Sequence, residues 1–138
     1  MLDLTQAKQA HIDQRLRDEP IIWLASVRPD GRPHLVPVWF LWDGATLVIF
    51  SKPANQKIRN LLHSSDVVLA LDTADEGEDV VLIEGQAELL DDRTIRPTLP
   101  AYAQKYAALL ARLGTTAEAM AAEYTQPIRV RINRFVMP

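Results

Sequence analysis

Cysteine is absent from the 138 residues, which excludes disulfides, thiol nucleophiles and Cys-ligated metals. Histidine is scarce. His11, His34 and His63 stand apart, without the spacing of a metal centre. Long apolar runs are missing too. None approaches the roughly 20 residues that span a bilayer, and no apolar stretch follows a basic start at the N-terminus. Neither a membrane anchor nor a secretion leader is expected, so the default location is the cytoplasm. The formal net charge is only -3, without the basic excess of a general nucleic-acid binder. Catalytic signatures are lacking as well: no Gly-x-Ser-x-Gly, His-Glu-x-x-His, Gly-x-Gly-x-x-Gly or Walker loop occurs. No nucleophile, proton donor or other catalytic residue is identifiable.

What remains is a chain with 48% hydrophobic and 24% charged residues, ordinary for a globular protein and of a length suited to one domain. Residues 3–17 read as a helix, with Asp3 as cap and Ile12 and Leu16 on one face. Ile21 to Val27 is apolar almost throughout, the pattern of a strand buried on both faces. Arg28-Pro29-Asp30-Gly31 is a turn. Leu35 to Leu41 reads as a second strand, Asp43-Gly44 as a hairpin loop, and Thr46 to Phe50 as a third strand. Three such neighbours make a meander. Asn55 is placed to cap a helix through Leu62, with Ile58, Leu61 and Leu62 inward. Val67 to Leu71 and Val80 to Leu90 are further strands, joined by a solvated acidic loop. Gly85 inside the second of them predicts a bulge or a close backbone approach. Tyr102, Tyr106, Leu109, Leu110 and Leu113 repeat at helical spacing. Gly114 stops that helix, and Thr115 with Glu118 forms a capping box for another. In the last strand Ile128, Val130 and Ile132 alternate with Arg129, Arg131 and Arg134, giving one basic face.

Turns too short for a crossover disfavour a parallel sheet. The reading is a mainly β chain with added helices (α+β), a six-stranded antiparallel barrel. It is taken as one domain over residues 1–138. An N-terminal helix spans 3–17, the barrel 20–90 and 127–135, and a helical insertion 91–125.

The stretch from Pro33 to Leu62 carries the chemistry. Lys52, Lys57 and Arg59 cluster around a loop with Ser51 and Asn55. Lys57 falls in the first turn of a helix, where the dipole disfavours a cation, and a bound anion relieves that conflict. The plain alternative is a solvated basic loop. Pro37 cannot donate to a ladder and marks an edge or bulge. The freed backbone there suits the edge of a flat ring, although Trp39 in a strand is also an ordinary core residue. An apolar wall ending in cations is what a ring system with a phosphate needs. Glu84 faces either a ligand, a partner subunit or solvent. The three arginines of the last strand fit an acidic tail, a second phosphate, or the charged face of an edge strand.

These motifs, in order R-P-D-G-R-P, P-V-W-F, S-K-P-x-x-x-K-I-R-N-L and I-E-G-x-A-E-L, resemble the pyridoxamine 5′-phosphate oxidase-like superfamily. The likeness is to its small bacterial branch of F420- or FMN-dependent split-barrel proteins, over roughly residues 5–90. The resemblance implies a six-stranded split β-barrel homodimer with two cofactor sites at the subunit interface. By position, Pro37, Val38 and Trp39 would line the ring system, and Ser51, Lys52 and Lys57 would hold the phosphate. Asn60 would serve the loop or the ligand, and Glu84 would approach from the second subunit. Gln56 stands where many relatives have Arg, a departure that removes one cation. The C-terminal Arg-rich motif of the vitamin B6 oxidases is missing. The resemblance thus implies an oxidoreductase passing hydride between F420 or FMN and a small conjugated molecule, with the pattern leaning to F420. The alternatives are a non-catalytic flavin or F420 carrier or sensor, and a haem binder, for which His34 is the one candidate ligand.

Overall fold

The structure, a computed structural model, describes residues 2–136. Its elements follow in the order α1 (Ala7–Asp18), β1 (Ile22–Val27), β2 (Pro33–Val38), β3 (Leu41–Trp42), β4 (Thr46–Ser51), α2 (Gln56–His63), β5 (Asp66–Leu71), β6 (Leu82–Leu89), α3 (Pro100–Arg112), α4 (Ala117–Glu123) and β7 (Gln126–Val136). The strands form one antiparallel sheet in the order β2-β1-β5-β6-β7-β4-β3. Seven strands replace the six expected because the stretch read as one strand over 35–41 breaks after Val38 and resumes at Leu41.

That break defines the architecture. β2 and β3 lie at opposite ends of the sheet, yet only Trp39 and Phe40 separate them. Three Cα steps cover at most about 11 Å, so the sheet must curl until its ends nearly meet. The result is a mainly β, split half-barrel with four helices, with Trp39 and Phe40 at the split. The expected meander of three is thereby corrected, since β2 pairs only with β1 and β3 only with β4.

Two apolar clusters fill the molecule. The larger joins α1 and α2 to the concave sheet through Ile12, Leu16, Leu24, Phe40, Ile58, Leu69 and Ile128. The smaller lies across β4, where Val48 and Phe50 pack with Tyr102, Tyr106 and Leu110 of α3. β4 is therefore the strand buried on both faces. β1 is not, contrary to expectation. Its alternate residues Trp23 and Val27 stay exposed, at 36% and 37%, because no helix covers that side.

Other expectations need local correction. Asp3 does not cap α1. It accepts from the Thr5 amide and hydroxyl, and the helix begins four residues later. Leu62 is 75% exposed, since the inward stripe of α2 is made by Ile58, Asn60 and Leu61. Thr116, rather than Thr115, caps α4, accepting from the Ala119 amide at 3.1 Å. The acidic loop is not simply solvated: the Asp72 and Asp79 carbonyls and the Asp79 carboxylate hold the buried Arg15 guanidinium. β7 is not an edge strand but lies between β6 and β4. Its outward arginines make cross-strand pairs, Arg131 with Glu88 and Arg134 with Glu84. Gly85 sits, as its position predicts, at a register shift against β7.

Candidate functional site

Where the sheet splits, the backbone of Phe40 has no ladder partner, and a buried amide or carbonyl must find one elsewhere. α3 supplies it. The Tyr106 hydroxyl accepts from the Phe40 amide at 2.8 Å and lies 2.7 Å from the Pro20 carbonyl. The Lys105 ammonium donates to the Phe40 carbonyl at 2.9 Å and sits 3.7 Å above the Phe40 ring. Burial pulls the Lys105 pKa down to about 8, although Asp18 and Glu19 oppose it. Burial likewise raises the Tyr106 and Tyr102 hydroxyls. The Trp39 ring stacks on Tyr106, with centroids 4.4 Å apart and planes within 4°. The residues that close the split thus fix the attitude of Trp39.

Beside Trp39 opens a cavity of about 750 Å³, within the range of small-molecule sites. The end of β2 forms one wall with Val36, Pro37, Val38 and Trp39. The first turn of α2 contributes Asn55 and Lys57, and Leu110, Leu113, Met120 and Tyr124 close the far side. Lys57 is half-buried, and burial lowers its pKa. Among the described residues no carboxylate pairs with its ammonium. An unpaired cation at a helix N-terminus is a place for an anion.

Four of the residues marked in the sequence, Pro37, Val38, Trp39 and Lys57, therefore come together here. The others lie elsewhere. Ser51 is buried, its hydroxyl donating to the Lys52 carbonyl at 2.8 Å. Lys52 is exposed, its ammonium 5.6 Å from the Tyr124 ring centre. Asn60 is fully buried and spent internally, donating to the Ser26 hydroxyl at 2.9 Å and accepting from Gln56 at 2.8 Å. Glu84 lines a separate hollow of about 410 Å³ on the outer side of the sheet, with Val27, Val68 and Asn133. His34 does not line the larger cavity. Among the described residues its buried Nδ1 has no partner, and burial, then Arg28 and Lys57, lower its pKa. The arm formed by α3 and α4 is the part of the site that sequence reasoning missed. Its helical spacing was legible, but nothing local said what it covers.

The sequence profile of the family described as pyridoxamine 5′-phosphate oxidase matches residues 9–135. The chain belongs to this family. No curated protein sequence matches it significantly. Among solved structures, it is similar to an F420 reductase at 27% identity and a TM-score of 0.64, over 89% of this chain and 94% of that one. The haem storage protein HutZ from Vibrio cholerae aligns at 13% identity and a TM-score of 0.65, over 94% and 92%. The protein Rv2991 from Mycobacterium tuberculosis aligns at 22% and 0.64, over 91% and 81%. The last two identities speak to the fold alone. Among the described residues no helix is long and apolar enough to cross a membrane.

Proposed function

We propose that this member of the family is an oxidoreductase that binds F420 or FMN and transfers hydride to or from a small conjugated molecule. The supporting observation is the unpaired, half-buried Lys57 facing a cavity with a flat apolar wall. That donor set suits a planar ring carrying a phosphate. Pro37, Val38 and Trp39 would bind and orient the ring, and Lys57 would hold the phosphate. When bound, such a cofactor supplies the hydride chemistry, which explains how a site with few acid-base groups can be an enzyme. Lys57 and Trp39 would position the cofactor, and the apolar arm across from them would exclude water. The likeness to an F420 reductase favours F420 over FMN.

Lys57→Ala is expected to weaken cofactor affinity by about 1–3 kcal/mol, the range for losing a charge-assisted contact. Titration of the protein with FMN and with F420, followed by absorbance and fluorescence, measures it. An unchanged dissociation constant refutes the anchor. Turnover of a panel of enones with reduced cofactor then separates an enzyme from a carrier.

The reading includes a homodimer. Trp23, Val27, Leu35 (60% exposed) and Val68 lie together on the outer face of β2, β1 and β5, where their registers place them side by side. A contiguous apolar sheet face of this kind is a candidate association surface. Glu84 and its hollow border this face. Sedimentation should give twice the mass of the 15.5 kDa chain, and Leu35→Glu should return it to one. A wild-type protein that stays at one chain mass would contradict the dimer.

A further inference from the structure

The cavity has two chemically different halves, and the proposed cofactor accounts for one of them. On the α2 side stand Lys57 and Asn55, which suit an anion. Across from them the arm presents Leu110, Leu113, Met120 and Tyr124, with Glu123 as the one charged residue of that side. Leu113 caps the C-terminus of α3 just before Gly114, whose φ of +71° turns the chain sharply towards α4. Its side chain is 66% exposed although it borders the cavity. Met120 is only partly buried and adapts its shape to whatever packs on it. The field reinforces this division. Lys57 attracts anions to its own end, whereas Glu123 opposes them at the arm. A group seated on the arm is therefore not an anion, and the apolar Leu110, Leu113 and Met120 around it favour one that carries no charge.

We propose that the α3–α4 arm is the substrate-specificity wall of this site, and that Leu113 and Met120 select a neutral, apolar molecule. The inference rests on the hydride-transfer reading, which makes the bound molecule a substrate. The wall itself does not depend on which cofactor occupies the α2 side. A protein segment is disfavoured as occupant because the cavity lies between elements of one chain and runs inward to Trp39 and Phe50.

Two fluorescent probes that share one ring system test it: neutral N-phenyl-1-naphthylamine and its anionic 8-sulfonate. Because the sulfonate can pair with Lys57 in the same cavity, the two are compared in Lys57→Ala, where the neutral probe should bind more tightly. Leu113→Glu and Met120→Glu should each weaken it about tenfold, since either places a carboxylate against an apolar ligand. Glu123→Gln should tighten the anionic probe and leave the neutral one unchanged. All three positions are exposed or half-exposed, so the variants are expected to fold, and far-UV circular dichroism checks this. FMN and F420 titrations of the Leu113 and Met120 variants should stay within about twofold of the wild type, as for sites that do not share a ligand. The proposal is overturned if neither variant changes the neutral probe, or if both weaken the cofactor as much as the probe. If neither FMN nor F420 binds the wild type while the neutral probe still depends on the arm, the cofactor reading fails and the apolar wall stands. If a cofactor binds through Lys57 and the probe ignores the arm, the reverse holds.

Discussion

Tyr106→Ala is expected to lower the free energy of unfolding by about 3–5 kcal/mol, the range for truncating a fully buried aromatic. Tyr106 has no exposed surface, and three separate interactions depend on it. Its ring packs with Tyr102 at 4.9 Å and lies flat against Trp39. Among the described residues its hydroxyl is the one partner of the Phe40 amide at the split of the barrel. Removing the side chain leaves a cavity and an unpaired buried amide together. Tyr106→Phe isolates the second cost and should lose about 1–3 kcal/mol, the penalty for an orphaned buried group. Urea denaturation followed by circular dichroism measures both. In a Trp23→Phe background, where Trp42 is the one other tryptophan, the change in fluorescence adds a readout near this site, because the alanine variant removes the stacking partner of Trp39. Equal losses for the two variants would mean that the ring contributes nothing, and that the smaller core is not organised around it.

The same contacts explain which parts of the fold were legible in the sequence. Turn chemistry was legible because it is local. Gly31 adopts a φ of +90°, and its amide donates to the Arg28 carbonyl at 2.8 Å, as Arg28-Pro29-Asp30-Gly31 implies. The spacing of Tyr102, Tyr106 and Leu110 was legible as a helix with one buried face. The break between Val38 and Leu41 was not. Val36 to Leu41 is a continuous apolar run, and only the distant hydroxyl of Tyr106 and ammonium of Lys105 make a gap there tolerable. Burial of β1 failed for a related reason. Periodicity records what a strand offers, and whether its second face is covered depends on elements far along the chain. The arginines of β7 looked like edge protection, yet an interior strand can carry the same residues when Glu84 and Glu88 stand opposite. At the candidate site, the motif residues Pro37 to Trp39 and Lys57 converge because β2 and the start of α2 are both near the split. Asn60 belongs to the same motif but points inward to Ser26, one helical turn from Lys57. Motif membership alone does not tell a wall residue from a structural one.

Gly85→Ala is expected to cost about 3 kcal/mol or more, above the usual loss from overpacking because the obstacle is backbone. A Cβ built on Gly85 would lie 2.3 Å from the Arg131 carbonyl oxygen and 3.2 Å from Val130 Cγ1. The carbonyl, being backbone, cannot swing aside. Arg131 pairs with Gln86 and Val130 with Ala87 in the central β6–β7 ladder, so relief requires the two strands to part. The site lies at the register shift where Glu84 faces Arg134 and Gly85 faces Ile132, leaving Asn133 as the extra residue. Parting the strands there would also disturb the Glu84–Arg134 pair and the hollow beside it. Gly31→Ala is the control. It meets open space but holds a φ of +90°, so its cost should be about 1–2 kcal/mol, that of a left-handed residue alone. Urea midpoints of the two variants decide between the explanations. If Gly85→Ala is no worse than Gly31→Ala, β6 and β7 are not held at the spacing that makes glycine necessary. If it is far worse, the bulge is a point where the barrel admits no side chain, which explains why glycine stands in the middle of β6.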